Sequence, residues 1–194
     1  MKRKNRYPAF SRGQVVQVNF DPQVGCEIKG IHYAIVVTNF DKTWIGTITV
    51  VPLTSKNKNH LVPLGEWLSD TVMNDLELQA RHYMALIKKI QAELDYLEAE
   101  SKNGIEVSNK KKQTLLSDID TFDSNMKYFQ SACKKYKNIQ KSSFANVLQI
   151  TSIDKSKVLN PCNRLDPIRR IKAPARIMDQ IDEALIRSFT KAIK

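Results

Sequence analysis

Several ingredients of secreted, membrane and metal-binding proteins are missing from this chain. Its three cysteines, Cys26, Cys133 and Cys162, are odd in number and far apart. None sits in a CxxC or Cys/His ligand spacing, which argues against a disulfide framework and a zinc site. No run of seven or more apolar residues follows the basic opening MKRKNRYPAFSRG, so no secretory signal is expected. No stretch approaches the length of a membrane span. The expectation is a cytoplasmic protein in a reducing setting, with no membrane contact and no cofactor. Acid is also scarce: 20 Asp and Glu against 31 Lys and Arg leave a formal charge of +11. Such a surplus points to a polyanionic partner, either nucleic acid or an acidic protein, unless it only solvates a long helical surface. Between residues 155 and 176 stand Lys155, Lys157, Arg164, Arg169, Arg170, Lys172 and Arg176, against Asp166 alone. That cluster lies outside the most helical sequence, which favours a phosphate-facing surface.

What is present is enough for one generous domain, or one domain with an appendage: 194 residues, 42% of them hydrophobic. Residues 25–55 organise the chain. Two β-prone runs, 32–38 and 47–53, flank a loop with Asn39, Asp41, Lys42 and Gly46, the pattern of an antiparallel hairpin. Before it, residues 1–11 read as a basic arm ended by Pro8. A strand then runs through Val15, Val16, Val18 and Phe20 to the Asp21-Pro22 turn. After it, residues 60–64 predict a short edge strand containing Pro63. Short strands closed by Gly and Pro turns predict a small antiparallel barrel.

The character changes at Ser69. Leu76, Ala80, Tyr83, Ile87, Ile90, Leu94 and Leu97 keep a heptad spacing, as do Leu115, Ile119, Phe122, Met126, Phe129, Cys133 and Tyr136. Polar residues separate the two stripes, and Gly104 suits a helix C-terminal cap. An antiparallel helical hairpin is expected, with arms of about 25 residues projecting on the order of 37 Å. β character returns over residues 144–150, and Ile177, Ile181, Ala184, Leu185 and Phe189 form a last helical stripe. The reading is an α+β fold. Residues 1–68 and 139–194 make one domain, and residues 69–138 are a coiled-coil hairpin inserted into it.

Arg12-Gly13-Gln14-Val15-Val16, Pro22, Gly25-Cys26-Glu27, the run 34–37 and Val51-Pro52-Leu53-Thr54-Ser55 resemble, in that order, the ribonuclease toxins of the MazF/PemK family. Residues 149–155 are similar to that family's late strand and turn, and residues 179–187 to its C-terminal helix. About 125 residues are covered, everything outside the helical hairpin. The resemblance implies an SH3-like barrel that dimerises, cuts single-stranded RNA sequence-dependently without metal, and is held inactive by a cognate antitoxin. Thr54 matches the threonine that ends the family's later strand. His32 stands where the family has an arginine, Tyr33 where a proline usually follows, and Thr151 where a second arginine is common.

Metal-free RNA cleavage needs a base for the ribose 2′-hydroxyl, an acid for the departing 5′-oxygen, and donors or cations for the phosphorane. Imidazole holds or yields a proton near neutral pH, so His32 is the candidate base or acid. Glu27 is expected to orient it, and Thr54 to complete the catalytic set. Ser55, Lys56 and Lys29 offer hydroxyl and ammonium groups to phosphate. Phe40 and Trp44 are candidate stacking platforms for bases, with packing under the loop as the competing reading. Arg12, Gln149 and Thr151, all within the resembling motifs, complete the expected RNA-binding set. His60 and His82 read as bystanders, and no GxSxG context supports a Ser143–His32–Asp154 triad. Two alternatives stay open: a non-enzymatic toxin of the CcdB type that binds a topoisomerase, and a degenerate member that binds RNA or antitoxin without cutting.

Overall fold

The computed structural model describes residues 7–103 and 108–190. Residues 1–6 of the expected basic arm and Gly104, the expected helix cap, lie outside them. Among the described residues the chain divides into two units. One comprises Met1–Val72, Ile139–Pro161 and Pro167–Lys194, and the other Met73–Asn138 with Cys162–Asp166.

The first unit is built on an antiparallel sheet of short β-prone runs, several of them buried on both faces. Its strands are β1 (Val15–Asn19), β2 (Ile31–Val36), β3 (Thr47–Thr54), β4 (Val62–Gly65), β5 (Ser143–Ala145) and β6 (Thr151–Asp154). The spatial order is β1-β2-β3-β5-β4, with β6 also paired to β3. One face of the sheet buries Val16, Val18, Phe20, Ala34, Val36, Ile48, Val50 and Ile153 as a single cluster.

β3 is shared by three neighbours. Its first half pairs with β6 from Thr47↔Asp154 to Val50↔Thr151, its middle with β2 up to Ala34↔Pro52, and its end with β5 at Leu53↔Ala145 and Thr54↔Phe144. The strand expected over residues 144–150 is therefore interrupted. The chain pairs with the end of β3, makes a 3-10 turn at Val147–Gln149, and resumes as β6 on the other half of β3.

The expected closed barrel gives way to an open sheet ending in β1 and β4. The outer edge of β1 is met instead by irregular chain: Val15 N–H donates to the Ile171 carbonyl, Leu159 N–H to Gln17 and Ala173 N–H to Gly13. Pro161, Pro167 and Pro174 fall in this covering segment, and prolines cannot extend a ladder, so it blunts the edge without closing the sheet. Helix α3 (Ala175–Phe189) buries Ile177, Met178 and Ile181 and packs on the 147–149 turn and β4. Phe189, expected in its apolar stripe, is exposed.

The second unit is a pair of helices. α1 runs Trp67–Lys102, entering the unit at Met73, and α2 runs Asn109–Tyr136. Tyr83 on α1 meets the rings of Phe122 and Phe129 on α2 at 6.0 and 5.5 Å. Near the other end, Lys111 reaches Glu100 at 3.7 Å. Early α1 thus faces late α2, an antiparallel hairpin. The seam departs from the heptad reading at one point: Ile87 is exposed while Leu86 is half-buried, because an α-helix of 3.6 residues per turn drifts against a strict 3.5 repeat.

Cys162–Asp166 returns to this unit. Asp166, fully buried, accepts from Lys135 Nζ at 2.9 Å, from the Tyr136 hydroxyl and from Cys162 N–H. Nothing in the helical periodicity announces that return.

Candidate functional site

The hairpin of β2 and β3 has two ends, and the topology sends the predicted site residues to both. The first end holds the start of β2 and the finish of β3. The loop from Phe20 to Gly30 is closed by Phe20 N–H on the Gly30 carbonyl and by Gly30 N–H on Asp21 Oδ1 at 2.9 Å. Gly25 and Gly30 take positive φ there, 64° and 77°, values that suit glycine. His32 follows as the second residue of β2, on the same face as Ala34 and Val36. It is half-buried, edge-on to the buried ring of Phe20 at 6.4 Å.

His32 Nε2 lies 2.9 Å from the Lys29 carbonyl oxygen. A carbonyl can only accept, so Nε2 carries the proton and Nδ1 is the basic nitrogen of the neutral ring. The orienting group is thus the Lys29 backbone. Glu27, expected in that role, turns its carboxylate onto Val24 N–H at 3.2 Å.

Carried two residues past its last pair, the β2–β3 register sets His32 opposite Thr54. Beyond Pro52, however, β3 leaves β2 for β5. Thr54 Oγ1 accepts from Lys56 N–H at 3.2 Å, leaving its own hydroxyl proton to donate. Ser55, Lys56 and Lys29 are exposed at this end. Glu27, Gln149 and Thr151 come together as walls of an open cavity of about 200 Å³, with Gln23, Ile28, Leu148 and Ile150. Gln149 Nε2 donates to the Cys26 carbonyl at 2.9 Å, pinning the 147–149 turn to the Gly25–Glu27 loop.

The opposite end carries the β2–β3 loop. Phe40 and Trp44 stand out from it, 83% and 63% exposed, with Lys42 Nζ 5.1 Å above the Trp44 ring. They do not pack beneath the loop. Thr54 is seven residues along β3 from Thr47, up to about 23 Å at about 3.3 Å per residue, so these rings lie well away from His32 and Thr54.

Between them Asp41 turns inward. Its side chain and that of Lys155 are fully buried, Nζ to Oδ1 2.7 Å. Asp41 also accepts from the Phe10 and Lys42 N–H groups, each at 2.8 Å, and Lys155 Nζ donates to the Lys42 carbonyl at 3.1 Å. Burial opposes ionisation of Asp41. The Lys155 ammonium and the two N–H donors outweigh it and hold the carboxyl below its ordinary value. This pair was not legible in the sequence, where its members are far apart and look like ordinary surface charges.

The basic cluster of residues 155–176 is divided. Lys155 is buried on Asp41 rather than facing phosphate. Arg164 belongs to the helical unit, where its guanidinium donates to Asn125 and lies over the Tyr128 ring. Arg169, Arg170, Lys172 and Arg176 remain exposed in the first unit. Arg12 is committed to structure: its guanidinium donates to the Val37 carbonyl and pairs with Asp182 on α3. Burial raises both the Cys133 and Cys162 thiols, the latter further raised by Asp166, which disfavours thiolate chemistry there. Among the described residues no group of three or more His, Cys, Asp or Glu could hold a metal ion, and no helix is long and apolar enough to cross a membrane.

The first end of the hairpin thus holds a half-buried histidine, a strand-end threonine and the exposed Lys29 and Lys56. Residues 11–92 match the family of PemK-like, MazF-like toxins of type II toxin–antitoxin systems. Over that stretch, from before β1 into α1, the chain is similar to the MazF/PemK family. No curated protein matches the chain.

Proposed function

We propose that the protein is the toxin of a toxin–antitoxin pair and acts as a metal-independent, sequence-dependent endoribonuclease on single-stranded RNA. Its open sheet is then a variant of the SH3-like barrel, with the helical pair inserted as a coiled-coil arm. The observation that carries the reading is the fixed imidazole. Nε2–H of His32 is held on the Lys29 carbonyl at the strand end where the register points to Thr54.

Nδ1 of His32 takes the proton of the ribose 2′-hydroxyl, whose oxygen attacks the adjacent phosphorus. The P–O5′ bond then breaks, leaving a 2′,3′-cyclic phosphate and a 5′-hydroxyl end. Thr54 and Ser55 donate hydrogen bonds to the phosphorane oxygens, and Lys29 and Lys56 supply positive charge. Glu27, Gln149 and Thr151 line the cavity that takes a neighbouring nucleotide. The imidazolium formed in the first step is the available acid for the leaving oxygen. The protein works as a homodimer, and an antitoxin segment lying across the RNA groove silences it.

Incubation of purified, antitoxin-free protein with mixed-sequence RNA in excess EDTA tests this. Discrete fragments with cyclic phosphate ends are expected, lost in His32→Ala and Thr54→Ala. His32→Arg, which keeps a cation but supplies no base at neutral pH, should cleave far more slowly than wild type. RNA left intact by folded wild type would end the nuclease reading. A second reading, a toxin that binds a protein target, draws on the apolar side chains exposed along α1, Leu78, Met84 and Ile87. Intact RNA with stalled supercoiling would select it.

A further inference from the structure

We infer that the β2–β3 loop is a second binding site for single-stranded RNA, remote from the cleavage centre, in which bases stack on Trp44 and Phe40 while Lys42 meets the phosphate. The inference rests on the nuclease reading only for the nature of the strand that reaches it.

Three observations converge on this loop. Its two aromatic rings stand more exposed than any other large apolar side chain of the hairpin, most of which are buried, and a ring kept in water has a face to offer. Its outer surface is free of negative charge: the one carboxylate between residues 37 and 46 is Asp41, which is turned inside and neutralised by Lys155. Asp154, across the sheet from Thr47, is drawn onto Ser156 N–H at 2.8 Å. The cation that remains, Lys42, already rests on the Trp44 ring, where a stacked base and its phosphate would find both a π-face and an ammonium.

The loop is also held still. Besides the Asp41–Lys155 pair, Lys155 N–H donates to the Gly46 carbonyl and Tyr7 N–H to the Thr43 carbonyl, both at 2.8 Å, and the Tyr7 ring lies against Gly46. A rigid aromatic platform gives up little conformational freedom when a base docks. An acidic protein segment would also answer to the cation, but two outward rings with an ammonium on one of them fit stacked bases better.

Asp41 and Lys155 are then positioning residues for this platform, and RNA must span the length of β3 to occupy both ends. Short oligonucleotides reach only one.

Uncleavable 2′-O-methyl RNA, in lengths of about four and about sixteen nucleotides, is titrated into the full-length protein, with cleavage of ordinary RNA assayed in parallel. Trp44→Ala and Phe40→Ala should weaken binding of the long oligonucleotide about tenfold each and leave the short one unchanged, while Trp44→Phe, which keeps a π-face, should bind nearly as wild type. Both side chains are exposed, so unchanged thermal unfolding certifies the fold. If the long oligonucleotide binds Trp44→Ala as tightly as wild type, the platform is overturned and the nuclease reading stands. If Trp44-dependent binding occurs without any cleavage, the platform stands and the nuclease reading falls. If neither oligonucleotide binds, the platform is overturned.

Discussion

A single buried ion pair decides how the loop at the far end of the hairpin is held. Removing one member of such a pair leaves an uncompensated charge, so Asp41→Asn or Lys155→Met should each cost about 3–5 kcal/mol. The double variant should lose less than either alone, and urea unfolding checks both statements. The acid dependence follows from the depressed carboxyl. Its stabilising contribution is fully present above the unfolded-state value of about 3.9 and is lost as pH falls through the lower folded-state value. Unfolding midpoints followed downward from neutral pH should therefore drop below about 4 in wild type, and the double variant should show less of that drop. Phe20 offers a second test. Phe20→Ala empties a fully buried site in the main cluster, at a cost of about 3–5 kcal/mol, and removes the ring against which His32 rests. His32 and Thr54 are readable as candidates from the sequence through the resemblance. The carbonyl that orients the imidazole is not, since any residue at Lys29 supplies the same backbone group.

At the scale of elements, local regularity is what the sequence reveals. β1, β2 and β3 fall where β-prone runs bounded by turn residues place them, and α1 and α2 where the heptads do, because these signals are set by neighbours a few residues away. The break between β5 and β6 is different in kind. It exists because β3 needs different partners along its two halves, a demand that residues 143–154 do not encode by themselves. The open sheet has the same origin, since what lies against β1 is chain from more than a hundred residues later. Tyr83→Ala, which deletes the ring between Phe122 and Phe129, should destabilise the helical pair by about 3–5 kcal/mol, seen as loss of helical circular dichroism at lower temperature. The Arg12–Asp182 pair joins the start of the sheet to α3 but is partly exposed, 28% and 41%. A double-mutant cycle there should return no more than about 1 kcal/mol.

Across the whole molecule, charge separates the two units more sharply than fold does. The sheet unit holds nineteen Lys and Arg against nine Asp and Glu, and the helical unit twelve against eleven. Almost all of the net charge that asks for a polyanion therefore belongs to the unit with His32 and Thr54, which makes the helical pair a poor RNA-gripping arm. Replacing residues 76–136 by a short Gly/Ser bridge should leave the salt dependence of RNA affinity unchanged. Each lost phosphate contact would instead reduce the slope of log affinity against log salt by about 0.7. Composition alone gives the total charge and its sign. Its partition between units depends on residues 162–166 returning to the helices, which no sequence pattern marks.

The burial of Lys155 on Asp41 has a consequence in time. The two residues are 114 positions apart. At about 5–20 residues per second, Asp41 is synthesised roughly 6–23 s before its counter-ion exists, and the whole helical pair is made in between. A nascent chain can form the β2–β3 hairpin early, yet it cannot lock the loop until Lys155 has been made. Ribosome-bound chains stopped short of Lys155 should therefore show amide exchange in residues 39–46 far faster than released protein.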